Sequence, residues 1–203
     1  RDVAPSRGLG DVYKRQGICG SDLRTYGGGS KNSILPAISG HEIVAEVIES
    51  HYPKFSVGTR LSIAPVIVCG ECWYCKNGIQ NLCDNIRMIG TAEGIAGGFA
   101  EYIAFPKEII DKGCFNAIPN DIDPIDTVIA ETASSVLCAQ INTNIVMDDL
   151  VVVIGAGTIG CLHSEIAKIR GVKEVIIVEM NHEKAELARS QGFDNVIHMS
   201  SSD

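Results

Sequence analysis

The stretch that decides the fold runs from residue 150 to residue 160 and reads Leu-Val-Val-Val-Ile-Gly-Ala-Gly-Thr-Ile-Gly. Its five leading apolar residues are typical of a strand buried in a parallel sheet. The glycines that follow are spaced G-x-G-x-x-G, a pattern that turns the chain tightly and lets its backbone approach a pyrophosphate. A helix is predicted to open at Thr158, so its amino terminus would face phosphate charge.

Strands and helices alternate around this turn. The pattern predicts strands at 150–154, 175–178 and 195–198, with helices at 158–170 and 182–191 between them. Such alternation indicates a doubly wound parallel sheet. We therefore predict a Rossmann-type NAD-binding domain over residues 149–203 that contains the first half of such a sheet, and we expect the chain to be a fragment.

Residues of the turn and of the second strand are predicted to bind the dinucleotide. Glu179 ends that strand, 19 residues after Gly160. Its carboxylate would accept a hydrogen bond from the ribose 2′-OH and repel a 2′-phosphate, which favours NAD over NADP. Lys184 could border the adenosine ribose, although a solvated surface lysine is nearly as good an interpretation. The predicted cofactor-binding residues are Gly155, Gly157, Ile159, Gly160, Glu179 and Lys184.

Four cysteines in the first half of the chain have the spacing of a metal site. Cys69, Cys72, Cys75 and Cys83 form a C-x-x-C-x-x-C-x7-C array in a polar loop, which is a poor place to bury thiols as apolar groups. A ferredoxin-type array places its fourth cysteine after three residues and before a proline, unlike Cys83. Disulfides are disfavoured because composition and the lack of a signal peptide indicate a cytoplasmic protein. The array predicts a structural zinc ion.

Composition bounds the remaining possibilities. The chain has 203 residues, 45% of them hydrophobic, and a formal net charge of −8. It can therefore fill one large core or two small ones, and it lacks the basic clusters of a nucleic-acid-binding protein. No apolar run approaches the ~20 residues of a membrane span. We expect neither nucleic acid nor a membrane as a partner.

The domain boundaries follow changes in pattern. Residues 1–16 show neither strand nor helix periodicity and are predicted to be a non-native junction outside the fold. Residues 17–122 are rich in short strands and turns, which indicates a partly open β-domain. Residues 123–148 are predicted to connect the two domains, and the helical spacing after Asp123-Pro124 predicts one helix as far as about Ile141.

Two further motifs carry candidate ligands. Cys19 lies in Gly-Ile-Cys-Gly-Ser-Asp at residues 17–22, and His41 and Glu42 lie in Gly-His-Glu at residues 40–42. Each ligand taken singly is weak, because an isolated cysteine or histidine is more often packing. Together with a dinucleotide turn and a separate four-cysteine loop, the three candidate ligands carry more weight.

In the order of these motifs, which also include Gly-Gly-Phe-Ala-Glu-Tyr at residues 97–102, the chain resembles the zinc-dependent medium-chain dehydrogenases. The resemblance covers residues 17–203 and is closest to the polyol dehydrogenase branch. It implies an α/β protein in which a GroES-like, partly open β-barrel at 17–122, with its zinc lobe at 69–83, precedes the truncated Rossmann domain.

The resemblance also implies roles for single residues. Cys19 and His41 would be ligands of a catalytic zinc, and Glu42 would be the third ligand or a close exchange partner. Glu131 stands where the polyol branch has a glutamate that contacts the metal or orients its water. Ser21 matches the residue whose hydroxyl relays the substrate proton. The implied catalytic residues are thus Ser21, Glu42 and Glu131.

The function implied is oxidation of a secondary alcohol of a small-molecule polyol to a ketone, with hydride transfer to NAD and two zinc ions per chain. The full-length enzyme would be a homo-oligomer in the cytoplasm, and this chain alone would be inactive. An L-threonine 3-dehydrogenase or simple alcohol dehydrogenase is the alternative enzyme. A zinc-stabilised nucleotide-binding module is the non-enzyme alternative, whereas both metal constellations disfavour a zinc-free quinone reductase.

Overall fold

Two units divide the chain, Arg1–Glu131 and Thr132–Asp203. The computed structural model describes residues 8–28, 38–90 and 95–200, with residues 8–15 described by their backbone alone. Within these ranges, none of the helices combines the length and the apolar character that crossing a bilayer requires.

An antiparallel sheet forms the frame of the first unit. Its strands run in the order β4-β3-β2-β1-β5, and β6 pairs with β3 as well. This arrangement confirms the predicted partly open β-domain. The strands are β1 (Gly8–Gln16), β2 (Ile43–Ser50), β3 (Arg60–Ile67), β4 (Arg87–Met88), β5 (Tyr102–Pro106) and β6 (Gly113–Ala117). The helices are α1 (Gly20–Tyr26), α2 (Trp73–Lys76), α3 (Lys107–Lys112) and α4 (Pro124–Thr127), with a 3-10 turn at Gln80–Leu82.

The core of this unit is formed by alternate residues along the strands, whose side chains face inward. Along β3 every second side chain is buried, beginning with Leu61 and Ile63, as expected for a sheet with one covered face. Phe105 of β5 and Phe115 of β6 meet edge to face with ring centroids 5.1 Å apart, a favourable aromatic geometry.

The prediction that residues 1–16 lie outside the fold is wrong for Gly8–Gln16. This segment is β1, which pairs antiparallel with β2 on one side and with β5 on the other. Its register against β2 shifts between Gly10 and Asp11 and again between Tyr13 and Arg15. Such irregularities interrupt the two-residue period, so the strand had no recognisable sequence pattern. Residues 1–7 lie outside the described residues, and the origin of the segment as a non-native junction stays a prediction.

Three glycines of the first unit pack backbone against backbone. A Cβ on Gly90 would lie 2.0 Å from the Gly40 carbonyl oxygen, and one on Gly97 would lie 2.3 Å from the same atom. The Gly98 N–H donates to that oxygen at 2.9 Å, and the Gly97 N–H donates to Ile38 at 2.8 Å. The Gly-Gly-Phe motif is therefore held directly against the segment that leads into His41.

A parallel sheet in the order β7-β8-β9 forms the frame of the second unit. Leu150 pairs with Glu174, and Ile177 pairs with Val196. The predicted alternation of strands and helices is confirmed. The elements are α5 (Ala130–Asn142), which begins at the unit boundary, β7 (Leu150–Ile154), α6 (Thr158–Ile169), β8 (Glu174–Glu179), α7 (His182–Ser190) and β9 (Val196–His198).

The helical region before the sheet differs from its prediction. A single helix was expected from Asp123 to about Ile141, whereas the structure has α4 and α5 with a break between them. The Thr127 hydroxyl donates to the Pro124 carbonyl at 2.8 Å, a local bond that competes with further helical turns.

A buried glutamine holds α5 against α6. Gln140 is 1% exposed, and its side-chain amide donates to the His163 carbonyl at 2.8 Å. Its oxygen accepts from Arg170 at 3.3 Å, and Arg170 also donates to the Ile145 carbonyl at 2.9 Å. Both the amide nitrogen and the amide oxygen of the buried Gln140 are therefore hydrogen-bonded, so α5 is held against α6 and no polar atom of this side chain is left unsatisfied.

The glycine contact predicts a difference between two substitutions at positive φ. Gly90 (φ +70°) and Gly58 (φ +85°) both have left-handed backbones, but a Cβ on Gly58 would meet nothing within 4 Å. Gly58→Ala should cost about 1 kcal/mol of stability, because only the backbone conformation is disfavoured. Gly90→Ala should cost about 3 kcal/mol or more, because fixed backbone atoms must move. Urea unfolding followed by circular dichroism would compare them, and equal midpoints would contradict the close packing.

Candidate functional site

The predicted zinc lobe brings its four sulfurs together. The Sγ atoms of Cys69, Cys72, Cys75 and Cys83 all lie within 4.8 Å of one another. The Cys69 and Cys75 sulfurs are 3.9 Å apart. Zinc held tetrahedrally by thiolates at about 2.3 Å requires sulfurs about 3.8 Å apart, so the four residues fit this ion. The spacing of the array has therefore identified a real cluster.

Backbone amides of the lobe stabilise negative charge on sulfur. The Cys72 N–H donates to the Cys69 sulfur at 3.4 Å, and the Cys69 N–H donates to the Cys83 sulfur at 3.3 Å. Hydrogen bonds from the backbone of Glu71 and Cys72 lower the pKa of the Cys69 thiol to about 6. Desolvation by burial raises the pKa of Cys75 to about 12. The two neighbouring thiols thus have opposite pKa shifts, and a bound divalent cation would stabilise the ionised form of both.

The second predicted set also converges. Ligand atoms of Cys19, His41 and Glu42 lie within 4.8 Å of one another, although 22 residues separate the cysteine from the histidine. His41 is 7% exposed and Glu42 is 9% exposed. A half-buried thiol close to a buried imidazole and a buried carboxylate forms a donor set that zinc accepts. These residues would hold a zinc ion between the start of α1 and the start of β2.

Sequence reasoning missed Asp22, which connects two of these ligands. One carboxylate oxygen accepts the Cys19 backbone N–H at 2.9 Å. The other lies 3.7 Å from His41 Nδ1, a buried atom with no hydrogen-bond partner among the described residues. A small movement would pair Nδ1–H with the carboxylate and leave Nε2 with its lone pair for a metal. The signal was available, because an acidic residue three positions after an N-cap closes a capping box.

Glycine also shapes this group. A Cβ on Gly17 would lie 1.6 Å from Glu42 Oε2, so the carboxylate occupies space that only glycine leaves free. The Gly17 N–H donates to the Glu42 carbonyl at 3.1 Å. Gly40, directly before His41, has φ of +101°, a conformation that disfavours other residues. Gly17 and Gly40 are therefore required by the local packing and backbone conformation, whereas a Cβ on Gly20 would meet nothing within 4 Å.

The other two catalytic candidates lie on helices. Ser21 is half-buried in the first turn of α1, two residues after Cys19. Glu131 is the second residue of α5 and is also half-buried. Among the described residues, the group within 4.8 Å of Cys19 contains His41 and Glu42 and does not contain Glu131. The roles of Ser21 and Glu131 stay predictions.

The carboxyl ends of β7 and β8 bring the predicted nucleotide residues to one edge of the second unit. Gly155 has φ of +102°, and a Cβ on Gly160 would lie 1.9 Å from the Gly155 carbonyl oxygen. Gly157 is the N-cap of α6, and Ile159 lies exposed in its first turn. The tight turn and the close helix packing are thus those of a phosphate-binding loop.

Glu179 lies at the same edge, and its carboxylate accepts the Ala156 N–H of the turn at 2.7 Å. Lys184 is exposed in the first turn of α7, where its charge helps to lower the pKa of Glu179, after larger contributions from backbone hydrogen bonds of Asn181 and Ala156. The proximity of Lys184 to Glu179 is consistent with a place beside the adenosine ribose. Its contact with a nucleotide stays a prediction.

Comparison with known proteins agrees with this arrangement. Residues 13–113 match the family model of the alcohol dehydrogenase GroES-like domain. An L-threonine 3-dehydrogenase of Pseudoalteromonas atlantica is 31% identical over 205 aligned positions, which cover 96% of this chain and 57% of that protein. The chain therefore spans little more than half the length of the curated relatives it matches.

Two solved structures are similar in fold. Galactitol-1-phosphate dehydrogenase from Escherichia coli has a TM-score of 0.84 and 27% identity, with 100% of this chain and 56% of that chain covered. A zinc-binding dehydrogenase from Sinorhizobium meliloti, solved bound to NADP, has a TM-score of 0.83 and 29% identity, with 97% of this chain and 56% of that chain covered.

A partly open β-domain with a four-thiol lobe and a Cys-His-Glu group, followed by a dinucleotide-type parallel sheet, defines a zinc-dependent dehydrogenase architecture. The chain belongs to the zinc-type medium-chain alcohol dehydrogenase superfamily, and residues 13–113 form its GroES-like domain. The predicted fold class is thereby confirmed.

The four-thiol cluster predicts a zinc ion that can be removed selectively. Cys69→Ser should lower the zinc content of the purified chain by about one equivalent and lower its melting temperature, because the ion stabilises the lobe. Elemental analysis and thermal unfolding would measure both effects. Cys114→Ser is the matched control, since Cys114 is exposed and outside the cluster. Zinc content equal in both variants would contradict the assignment.

The carboxylate beside His41 predicts a second effect on metal binding. Asp22→Asn keeps an oxygen that can accept the Cys19 N–H but removes the charge 3.7 Å from His41 Nδ1. Zinc held by Cys19, His41 and Glu42 should therefore bind about 10- to 100-fold more weakly, as measured by chelator competition. Asp126→Asn, an exposed aspartate of α4, is the control. An unchanged competition curve for Asp22→Asn would contradict the role of this carboxylate.

Proposed function

We propose that the whole protein containing this chain is a zinc-dependent oxidoreductase that oxidises a secondary alcohol to a ketone with NAD. The convergence of Cys19, His41 and Glu42 is the observation that supports it. A zinc-stabilised nucleotide-binding module would need the four-thiol lobe, but it would have no use for a second buried donor set. The phosphate-binding turn supplies the other half of a dehydrogenase, because the electrons need an acceptor.

The residues of the first unit would divide the chemistry among them. A zinc ion held by Cys19, His41 and Glu42 would supply Lewis acidity, which lowers the pKa of an alcohol hydroxyl. Asp22, after a small movement toward Nδ1, would hold the imidazole of His41 in one orientation. Ser21, two residues after the cysteine, accepts the hydroxyl proton and passes it outward. Glu131 contributes a further carboxylate that orients groups around the metal.

The residues of the second unit would bind the oxidant. NAD bound there would act as the two-electron acceptor that oxidation of the alcohol to the ketone requires. The amides that open α6 would bind the pyrophosphate. Glu179 would accept a hydrogen bond from the ribose 2′-OH and repel a 2′-phosphate, which supports NAD as the preferred cofactor. A related structure was solved with NADP.

The substrate class we propose is a polyol. The carboxylate of Glu42, together with the further carboxylate predicted at Glu131, would make the site more oxygen-rich than three thiolates would, which suits an oxygen-rich substrate. The similarity to galactitol-1-phosphate dehydrogenase supports this choice. A β-hydroxy amino acid is the second candidate, supported by the 31% identity to an L-threonine 3-dehydrogenase. Both candidates present a secondary alcohol to the same metal group.

An activity assay on the whole zinc-loaded protein tests the proposal. NADH formation should be seen with sorbitol, with galactitol 1-phosphate or with L-threonine, and the most active of the three names the class. His41→Ala should lower kcat/KM more than about a hundredfold, because a ligand of the metal is lost. Asp126→Asn is the control, since Asp126 is an exposed residue of α4 outside the ligand group. If NAD binds but no secondary alcohol reduces it, the binding-module alternative is supported instead.

A further inference from the structure

Both oxygens of the Glu179 carboxylate are bound by backbone amides. Oε2 accepts the Ala156 N–H at 2.7 Å, and Oε1 accepts the Asn181 N–H at 2.8 Å. Ala156 belongs to the phosphate-binding turn after β7, whereas Asn181 is the N-cap of α7 after β8. A single side chain therefore connects the turns that follow two neighbouring strands.

These bonds favour the ionised carboxylate. The Asn181 amide and then the Ala156 amide lower the pKa of Glu179 below its ordinary value. A charged acceptor makes each N–H bond stronger than one between neutral groups. The connection is accordingly a strong one at neutral pH.

The same turn is fixed from a second direction. The Gly155 N–H donates to the Val178 carbonyl at 2.7 Å, and Gly160 packs closely on the Gly155 carbonyl. Gly157, as N-cap, has no side chain with which to bond the first amides of α6. Those amides are the donors left for a pyrophosphate, because the Ala156 N–H is already paired with Glu179.

We propose that Glu179 is a positioning residue for the phosphate-binding turn as well as the acceptor for the ribose. This inference rests on the proposed binding of NAD. Its consequence is that cofactor selectivity and phosphate binding share one carboxylate. Replacing Glu179 to admit a 2′-phosphate would also release the turn, so the affinity for both dinucleotides would fall.

The ligand-free chain provides the first test. In Glu179→Gln the amide has one accepting oxygen, and its NH₂ group faces one of the two backbone donors. Hydrogen exchange of the Ala156 amide, measured by NMR, should become roughly tenfold faster than in the wild-type chain. In the wild type, the Ala156 and Asn181 amide shifts should follow one common pH titration, which a purely structural contact would not produce.

Glu174→Gln is the matched control for this experiment. Glu174 lies at the other end of β8, where its carboxylate accepts a hydrogen bond from Asn195 at 3.1 Å. Its replacement should leave Ala156 exchange unchanged. Equal Ala156 exchange in Glu179→Gln and in the wild type would overturn the proposal.

Nucleotide binding provides the second test and separates the two roles. ADP has both ribose hydroxyls, whereas 2′,3′-dideoxy-ADP has neither and keeps the pyrophosphate. If Glu179 positions the turn, Glu179→Gln should weaken binding of both nucleotides, with dideoxy-ADP weakened roughly tenfold. Unchanged dideoxy-ADP affinity would overturn the positioning role. Failure of the wild-type chain to bind either nucleotide would count against the proposed NAD site, while Ala156 exchange still decides the role of Glu179 in the turn.

Discussion

Gly40 meets Gly90 and Gly97 so closely that a Cβ on either partner would lie within 2.3 Å of the Gly40 carbonyl oxygen. The residues after Gly40 are His41 and Glu42, so this backbone contact fixes the point at which the ligand pair enters the sheet. Gly17 constrains the other ligand of the pair, because a side chain at this position would occupy the space of the Glu42 carboxylate. His41 and Glu42 are therefore positioned by backbone contacts that cannot change without a change in the fold. This explains why glycine occupies positions 17 and 40 of the two ligand motifs.

Local patterns predicted what depends on local structure. The strand at Leu150–Ile154 and the glycine turn after it were predicted with their observed bounds, because a continuous apolar run and a positive φ leave a clear sequence signal. The four-cysteine lobe was predicted for the same reason, since its sulfurs are brought together within one short loop. The convergence of Cys19 with His41 depends on strand pairing and could be expected only from resemblance to a family.

Non-local structure was harder to predict. β1 is held by partners on both sides, and its irregular register erased the alternation that identifies a strand. The approach of Asp22 to His41 joins residues 19 positions apart and leaves no sequence signal, whereas the capping-box spacing of Asp22 marks only its bond to Cys19. The break between α4 and α5 coincides with a local hydroxyl bond from Thr127 to Pro124, which competes with a helix that propensity alone would continue. Tertiary contacts therefore explain the first two differences, and a local side-chain bond accompanies the third.

The parallel sheet of the second unit has one covered face and one exposed face within the described residues. Alternate side chains of the three strands, among them Val153, Ile177 and Val196, are buried beneath α6 and α7. The other face is apolar yet open within the described residues, with Val152 53% and Ile154 88% exposed. Parallel sheets of doubly wound folds are covered on both faces, whereas within the described residues helices cover one face of this sheet. Because only one face is covered, the hydrogen bonds that Glu179 makes with the turns after β7 and β8 contribute a larger share of the stability of this unit. The carboxylate of Glu179 thus contributes to the structural integrity of the site as well as to its charge.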